Sequence, residues 1–270
     1  MTNTTEVYFP VDQNEKLFIK CIWRLQEYHT HEITETILPK GTAEIIFNFS
    51  DKITYFNPGL DINTTLPACF INGINFKPFK LIKNSQQRFL GIQLNTFGLK
   101  VLFDASAKEF NNNIFEGSLV CKSLGTLSDQ LANEKSFHEQ VKIILNWILR
   151  KAANSNCIKV LNQMHHLFYG QNLNETTVKK LCNEFNLSDR QVRRLSAEWL
   201  GMNTESFLGY SKYITALNLL HNTASSLTQI GLEAGYYDQS HFIREFKSFT
   251  ELTPKAYQQL AGGLPGHIIG

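Results

Sequence analysis

Two successive helix-turn-helix patterns lie between residues 176 and 257, and they constrain the fold of this 270-residue chain more than any other feature. In the second pattern, SLTQIGLEAGYYDQSHFIREFKSF, Ser226 and Gln229 have the spacing of a capping box. Asp238 is placed to cap the following helix, in which phenylalanines recur at helical spacing. The stretch therefore predicts a helix, a tight turn and a second helix with one buried and one polar face.

The first pattern follows the same plan. Residues 177–185 are amphipathic, the turn is Asn-Leu-Ser at 186–188, and Ser188 with Gln191 forms another capping box. Between the two patterns, residues 204–221 predict one amphipathic helix of roughly 26 Å, at ~1.5 Å per residue. Successive major grooves on one face of DNA lie about 34 Å apart. A rigid helix of this length is suited to hold two recognition helices in neighbouring grooves.

The outward faces of the two second helices carry side chains that suit DNA bases. Arginine can bind guanine through two hydrogen bonds, glutamine can bind adenine in the same way, and isoleucine can contact a thymine methyl group. The predicted base-reading residues are Arg190, Arg193 and Arg194 in the first unit and Gln239, Ser240, Ile243 and Arg244 in the second. Phosphate contacts, which position a protein without reading sequence, are predicted for Lys179, Lys180, Lys212, Lys247 and Lys255.

Composition limits the alternatives but does not by itself indicate a nucleic-acid-binding protein. The net charge is +2, and residues 157–270 contain ten lysines and arginines against nine acidic residues, so DNA binding depends on where the charges lie. No apolar run reaches the ~18 residues that cross a bilayer, and the N-terminus lacks a signal-peptide pattern. This predicts a cytoplasmic protein with no membrane partner. Five scattered cysteines predict reduced thiols rather than disulfides or a zinc site: Cys21, Cys69, Cys121, Cys157 and Cys182.

Residues 19–94 have a strand-like pattern. Short runs of apolar, β-branched and aromatic residues alternate with turn signals such as Asn57-Pro58-Gly59. Several short strands with regular turns indicate an antiparallel barrel or sandwich. The predicted fold class is α+β, with a β-rich barrel- or sandwich-like N-terminal domain followed by an all-α domain with two helix-turn-helix units.

The hydrophobic period changes after the strand region. Apolar spacings of three and four predict helices over 97–110, 124–131 and 137–149, followed by a loop and candidate hinge at 151–156. The Gly- and Pro-rich C-terminus predicts a frayed end. The predicted domains are a β-rich regulatory domain at 1–95, a helical connector at 96–156, a double helix-turn-helix DNA-binding domain at 157–260 and a flexible tail at 261–270.

The string LTQIGLEAGYYDQSHFIREFKSFTELTPKAY (227–257) closely resembles the C-terminal signature of AraC/XylS-type transcriptional regulators. The similarity extends back through LSDRQVRRL to about Val178, and LPKGTAEIIFNFSD and FLGIQLNTFGLKVLFDASAKEF resemble the β-rich N-terminal domain of one subgroup. The resemblance implies that the two units bind consecutive major grooves of an asymmetric DNA site. It also places the seven predicted base-reading residues at the positions that contact bases in that family.

The chain departs from the family pattern at four positions. Glu251 stands where a glycine usually follows the second recognition helix, and a left-handed helix cap is normally made by glycine. Ser196 stands at a usual core aromatic position, and Trp199 is expected to refill that space. Thr204 replaces a common proline, and Gly231 replaces a usual alanine, which preserves close helix packing but weakens the helix by roughly 1 kcal/mol.

An enzymatic alternative comes from the N-terminal domain. His29-x-His31 followed by Glu35 and then Gly41 approximates the first metal-binding motif of cupins, and imidazole and carboxylate groups can hold a divalent metal. The spacing from Glu35 to Gly41 is off by one and no second motif supplies another histidine, so no metal site is predicted. No nucleophile elbow, phosphate-binding loop or dinucleotide fingerprint is present in the sequence.

The β-rich domain is expected to sense a ligand or to mediate dimerisation. A small barrel can hold one small ligand among inward-facing aromatic side chains, although the same side chains can simply fill a core. The candidate lining residues are Trp23, Phe47, Phe49, Tyr55, Phe70 and Phe76.

We therefore predict a one-component transcription regulator that is not an enzyme and needs no cofactor. Its expected partners are double-stranded DNA, a small-molecule effector, a second copy of the chain, and RNA polymerase if it is an activator. Two alternatives stay open. One is a small-molecule-binding or metal-dependent, cupin-like β-barrel enzyme with a structural helical tail, and the other is a protein-interaction module whose helical domain does not bind DNA.

Overall fold

The N-terminal strands form two antiparallel sheets in the computed structural model, which describes residues 3–50, 52–84, 86–155, 158–169 and 176–270. The strands are β1 (Thr4–Tyr8), β2 (Ile19–Tyr28), β3 (Ile33–Ile37), β4 (Ala43–Asn48), β5 (Ile53–Asn57), β6 (Ile62–Thr65), β7 (Cys69–Asn72), β8 (Phe79–Lys83), β9 (Gln86–Leu94), β10 (Ile114–Glu116) and β11 (His267–Ile269). Sheet A has the order β1-β2-β9-β4-β7-β10, and sheet B has the order β11-β3-β8-β5-β6. The predicted β-rich N-terminal domain is confirmed, and its two sheets do not join into one closed barrel.

Most helices follow strands β1–β9 along the chain, in agreement with the predicted α+β class. They are α1 (Gln13–Lys16), α2 (Gly98–Phe103), α3 (Gly117–Val120), α4 (Lys122–Asn133), α5 (Phe137–Ala153), α6 (Ile158–Tyr169), α7 (Val178–Phe185), α8 (Asp189–Leu200), α9 (Thr204–Asn222), α10 (Leu227–Glu233), α11 (Gln239–Thr250) and α12 (Pro254–Leu260). Within the described ranges, no helix combines the length and the apolarity that a membrane crossing requires.

Sheet A is covered on both faces, which explains why every residue of β4 is buried. Side chains alternate between the faces of a strand. Ile45 and Phe47 accordingly pack into a large core that runs on through the helices to Phe246. Ile46 faces sheet B and shares a smaller core with Tyr55 and Phe70. The strand domain and the helical domain therefore share one continuous hydrophobic core.

The aromatic residues proposed to line a ligand pocket divide between these two cores and a cavity. Trp23 and Phe70 line a cavity between the sheets, and Tyr55 is buried in the smaller core. The other three, Phe47, Phe49 and Phe76, belong to the large core or pack against it. The Trp23 ring lies across Gly91, where a Cβ atom would be 2.2 Å from the ring. Glycine at position 91 is therefore required for the ring to occupy this place.

Three predictions about the connector need correction. The helix predicted over 97–110 ends early, because Asp104 adopts a left-handed conformation (φ 51°) after α2 and a separate 3-10 turn follows at Ala107–Phe110. Helix α5 continues to Ala153, into the segment predicted as a loop. Strand β10 lies in the same connector and pairs with β7, so the β domain does not end near Leu94.

The flexible tail predicted for residues 261–270 is also wrong. Strand β11 pairs antiparallel with β3 at the edge of sheet B. The amide of Leu38 donates to the carbonyl oxygen of Gly266 at 2.8 Å, and the amide of Gly270 donates to that of Thr34 at 2.9 Å. An edge strand presents unpaired backbone groups. Here strand β11 pairs with backbone groups of β3 that would otherwise lie unpaired at that edge.

His267 fixes β11 to the strand domain through Glu35 and Lys40. Nδ1 of His267 lies 2.6 Å from Oε1 of Glu35, and Lys83 pairs with the other oxygen of Glu35. Burial alone would raise the pKa of Glu35, but the hydrogen bond from His267 and the charge of Lys83 lower it to about 2. Burial, followed by the neighbouring charge of Lys40, lowers the pKa of His267. Neutral His267 therefore donates from Nδ1 to Glu35, while its Nε2 accepts from Nζ of Lys40 at 3.3 Å.

This arrangement predicts a specific loss of stability in acid. Since the pKa of His267 is lower in the folded chain than its ordinary value of 6.5, its contribution is fully present above that pH and decreases as the pH falls. Glu35 adds a second decrease below its ordinary pKa of 4.5. Urea unfolding between pH 7.5 and 5.5 should show the first decrease in the parent chain and a smaller one in His267→Gln. Equal pH dependence in the two proteins would contradict this assignment.

Candidate nucleic-acid interface

Helices α7 and α8 form the first helix-turn-helix unit, with the predicted caps in place. Asn186 ends α7 in a left-handed conformation (φ 51°). The Ser188 side chain accepts from the amide of Gln191, whose side chain accepts in return from the amide of Ser188. Val192 is buried on the inner face of α8. The sequence folds this way locally because the capping box satisfies amides that have no partner inside the helix.

Helices α10 and α11 form the second unit in the same manner. Ser226 and Gln229 make a capping box, and the Asp238 side chain accepts from the amide of His241 at 2.7 Å. Phe242 and Phe246 are fully buried. The predicted double helix-turn-helix arrangement is thus present.

The exposed face of α8 carries two arginines that are free for a ligand. Arg190 and Arg194 are exposed and make no hydrogen bond or ion pair with any described residue. Arg193 differs from the prediction because its Nε donates to Asp189 at 2.6 Å and both terminal nitrogens bind the carboxylate of Glu205. The guanidinium of Arg193 therefore joins α8 to the start of α9 instead of pointing freely outward.

The exposed face of α11 carries the predicted residues of the second unit. Ser240 and Arg244 are exposed, and Arg244 has no hydrogen-bond or ionic partner among the described residues. Ile243 is half-buried. Oε1 of Gln239 accepts from Oγ1 of Thr228 at 2.9 Å, which joins α11 to α10. Gln239 keeps its amide donors for a DNA acceptor, but its acceptor is already engaged.

The lysines predicted to contact phosphates are not equivalent. Lys179, Lys180, Lys247 and Lys255 are exposed near the two units. Lys212 is half-buried, and its Nζ donates to the carbonyl oxygen of Gly235 in the turn of the second unit at 2.7 Å. The phosphate contact of Lys212 stays a prediction, and in the structure its ammonium anchors α9 to that turn.

Two tyrosines of the linker helix α9 were not predicted as functional residues, and they dock it on the strand domain. The Tyr210 hydroxyl accepts from the amide of Gly41 at 3.0 Å and donates to the carbonyl oxygen of Asn75 at 2.8 Å. Tyr213 donates to the carbonyl oxygen of Pro39 at 2.9 Å. The sequence signal for this docking is the presence of tyrosine instead of phenylalanine on the buried face of α9. A buried hydroxyl needs a hydrogen-bond partner, and such a partner has to come from another element.

The first recognition helix also rests on the connector. Asn111 donates from Nδ2 to the carbonyl oxygen of Gly201 at 2.7 Å, and Nζ of Lys100 lies 3.3 Å from Glu198. Trp199 packs edge-on against Phe97. These contacts use the inner face and the C-terminal end of α8, so the outer face of that helix stays open.

The residues of the cupin-like motif do not come together as a metal site. Glu35 binds Lys83 and His267, His29 lies 3.4 Å from Glu27, and His31 contacts Thr30. Among the described residues, no group of three or more histidine, cysteine or acidic side chains is placed to hold a metal ion. The cysteines Cys21 and Cys69 are buried thiols, Cys121 and Cys182 are half-buried thiols, and Cys157 lies outside the described residues.

Comparisons with known proteins agree with this architecture. A family model described as a helix-turn-helix domain matches residues 181–260, and a model described as a domain of unknown function (DUF6597) matches residues 16–116. Residues 181–260 therefore form a helix-turn-helix domain of the AraC type, which follows a domain of the DUF6597 type.

Relatives of this chain are named as transcriptional regulators. An uncharacterized helix-turn-helix regulator of Haemophilus influenzae is 28% identical over 43% of each chain. The transcriptional activator RhaS of Salmonella arizonae is 25% identical over 50% of this chain and 49% of its own. Among solved structures, ToxT from Vibrio cholerae aligns with 97% of this chain and 100% of its own, at 14% identity and a TM-score of 0.49. The chain spans less than half the length of these two curated relatives.

The departures from the AraC-type pattern are accommodated locally. Glu251 ends α11 in a left-handed conformation (φ 65°), and its amide donates to the carbonyl oxygen of Lys247 at 2.9 Å. The cap thus forms without glycine. Ser196 is buried and donates to the carbonyl oxygen of Met202 at 2.9 Å, and Trp199, one turn further along α8, is buried as well. At Gly231, a Cβ atom would approach the side chain of Phe242 to 3.3 Å.

The left-handed cap at Glu251 predicts a stabilising substitution. A residue with a Cβ atom loses about 1–2 kcal/mol in this conformation, and glycine avoids most of that loss. Glu251→Gly should therefore raise the free energy of unfolding by roughly 0.5–1 kcal/mol in urea titrations. The matched control is Gly201→Ala, since Gly201 also has a positive φ (74°) and its Cβ atom would meet Ala107 at 2.9 Å. That control should be clearly destabilised, and a destabilised Glu251→Gly would contradict the interpretation.

Proposed function

We propose that this chain is a sequence-specific transcriptional regulator that binds double-stranded DNA with α8 and α11 in two consecutive major grooves. One observation carries the proposal: each helix-turn-helix unit has an exposed arginine, Arg194 or Arg244, without a protein partner among the described residues. The relatives named as regulators favour this function over the enzyme alternative. Helix α9 has 19 residues and spans about 28 Å at ~1.5 Å per residue, a length compatible with neighbouring grooves.

Base reading is assigned to the side chains that remain available. Arg190, Arg194 and Arg244 suit guanine, and Ser240 suits any base that offers a donor or an acceptor. Gln239 can form two hydrogen bonds with adenine only if its hydrogen bond with Thr228 breaks when DNA binds. Ile243 is placed to contact a thymine methyl group beside them. The phosphate contacts are assigned to Lys179, Lys180, Lys247 and Lys255.

Arg193 is proposed to position α8 rather than to read a base. Its two-pronged pairing with Glu205 and its bond to Asp189 use all three guanidinium nitrogens. Such a pair fixes the angle between α8 and the linker helix, because Arg–carboxylate pairing is directional.

Regulation is assigned to the N-terminal domain. The linker helix contacts that domain through Tyr210 and Tyr213. A conformational change in the N-terminal domain can therefore be transmitted through α9 to both recognition helices. We propose that a small-molecule effector binds in the N-terminal domain, that the protein acts in the cytoplasm, and that two copies bind two half-sites if it dimerises. RhaS is named a transcriptional activator. If this chain also activates, RNA polymerase is its further partner.

The base-reading assignment predicts separate effects of Arg194→Ala and Arg244→Ala. A duplex site is first selected from a random-sequence pool with the parent protein and then used in a salt series. Each substitution should weaken binding to that site by about 1–3 kcal/mol and relax the preference at one base pair, in different halves of the site. Arg150→Ala on α5 is the matched control and should bind as the parent does. Equal losses on random duplex would mean phosphate contact only, and an absence of salt-dependent DNA binding would overturn the proposed function.

The positioning assignment of Arg193 predicts coupling with Glu205. Arg193→Ala and Glu205→Gln should each weaken binding to the selected duplex, and the double variant should lose little more than either single one. If Arg193 instead reads a base, Glu205→Gln should leave binding unchanged or strengthen it, because it releases the guanidinium. The same duplex titrations distinguish these outcomes.

A further inference from the structure

Two loops of the N-terminal half of the chain are hydrogen-bonded to each other and lie beside the helical domain. One loop is residues 73–78, between β7 and β8, and the other is residues 111–113, just before β10. Three hydrogen bonds join them: from the amide of Gly73 to the carbonyl oxygen of Asn113 at 3.2 Å, from the amide of Asn112 to the carbonyl oxygen of Ile74 at 2.9 Å, and from the amide of Phe76 to the Asn112 side chain at 2.7 Å. These two loops together are called the loop bridge below.

The close approach of the two loops depends on two backbone features. At Gly73 a Cβ atom would lie 1.7 Å from the carbonyl oxygen of Phe110, so only glycine permits this approach. Asn112 has a left-handed backbone conformation (φ 56°), which asparagine adopts more readily than most residues. The loop bridge is therefore a tightly packed unit with a defined geometry.

One end of the loop bridge holds the first recognition helix. Asn111 donates from Nδ2 to the carbonyl oxygen of Gly201 at 2.7 Å, and Gly201 is the residue that ends α8. The last carbonyl groups of a helix have no partner inside it. The contact is close, because a Cβ atom on Gly201 would lie 3.0 Å from Nδ2 of Asn111. The C-terminal end of α8 is therefore fixed to the loop bridge.

The other end of the loop bridge holds the second recognition helix. Nζ of Lys77 donates at 2.7 Å to the carbonyl oxygen of Ser248, in the last turn of α11. A cation at this end of a helix also interacts favourably with the helix dipole. The ring of Phe76 lies 5.2 Å from that of Tyr210 in α9, and Tyr210 lies 5.3 Å from Phe249 of α11. Polar and aromatic contacts thus join this loop to the end of α11.

The loop bridge therefore connects the two recognition helices by a route that does not run along α9. Helix α9 joins the end of the first unit to the start of the second. The loop bridge adds a second connection, at the C-terminal ends of α8 and α11. Two connections at different points restrict the angle between two helices more than one connection does.

We propose that the loop bridge fixes the angle between α8 and α11, and thereby determines which spacing between the two halves of a DNA site the protein accepts. Asn111 and Lys77 are then positioning residues, and Asn112 joins the loops that carry them. This inference rests on the proposed function and deepens it, because it gives the N-terminal domain a part in recognition of the site itself.

The spacing of the site reports this angle directly. One base pair between the halves moves the second half by about 3.4 Å along the duplex and by about 35° around it. A protein whose recognition helices are held at a fixed angle discriminates against such a change, whereas one whose helices can turn accommodates part of it. The preference for one spacing therefore depends on the angle and not on the strength of a single base or phosphate contact.

The test uses the full chain and three duplexes. They are the selected site and the same site with one base pair inserted or removed between the positions that Arg194→Ala and Arg244→Ala identify. The parent should prefer the selected spacing by about tenfold, comparable to the loss of one base contact. Lys77→Met and Asn111→Ala should each lower that preference by about threefold, as expected for the loss of one hydrogen bond.

Two further variants are controls. Lys77→Arg keeps a cation that can donate to the carbonyl oxygen of Ser248 and should retain the preference of the parent. Lys80→Met, at an exposed lysine of β8 with no hydrogen bond or ion pair to any described residue, should do the same. The double variant of Lys77 and Asn111 should lose little more preference than either single one, because the two contacts lie in series. Since Lys77 is exposed, Lys77→Met decides the question if Asn111→Ala does not fold.

Unchanged spacing preference in Lys77→Met would overturn the inference. An equal loss of affinity on all three duplexes would also overturn it, because that result indicates a phosphate contact. Multiplied losses in the double variant would mean two independent local contacts instead of one bridge. A parent that binds all three spacings equally overturns this inference and leaves the proposed function intact, whereas a parent that binds no duplex overturns the proposed function.

Discussion

The packing of Tyr213 in the linker helix is the interaction on which the rest of the structure depends. Its ring is fully buried and stacks on Phe249 with 4.6 Å between centroids, while Phe246 of the same recognition helix lies 5.6 Å away. Its hydroxyl donates to the carbonyl oxygen of Pro39 in the strand domain. One side chain therefore joins the linker helix, the second helix-turn-helix unit and the N-terminal domain. The Tyr213 ring is buried and its hydroxyl is hydrogen-bonded only when the linker helix, the second helix-turn-helix unit and the N-terminal domain are packed together.

Polar contacts add direction to that packing. Arg193 ties the first recognition helix to the start of α9, and Lys212 ties the turn of the second unit to its middle. Three of the residues first expected to face DNA or its phosphates, Arg193, Lys212 and Gln239, thus have a partner inside the protein. The residues that orient the two reading surfaces are distinct from those that remain free on them, such as Arg194 and Arg244.

The sequence predicted the local structure well because its determinants are local. The capping boxes at Ser188 and Ser226 act over three residues, and the buried stripes repeat within one helix. Strand β11 was missed because its partner Glu35 lies 232 positions from His267, and glycine-rich composition alone suggests fraying. The pairing of Arg193 with Glu205 was missed for a similar reason: both are exposed charges on different helices, and no pattern indicates the angle between those helices.

The distribution of charge limits how the proposed DNA binding can discriminate between sites. The helical region is nearly neutral, and Asp189 and Glu205 neutralise Arg193 beside the reading face. Non-specific affinity comes mainly from released counterions and so from the number of phosphates contacted. With four exposed lysines assigned to phosphates, that general attraction is modest. Discrimination between sites must then come from a few base contacts held at a fixed mutual angle, which is why the rigid link through α9 matters more here than total basicity.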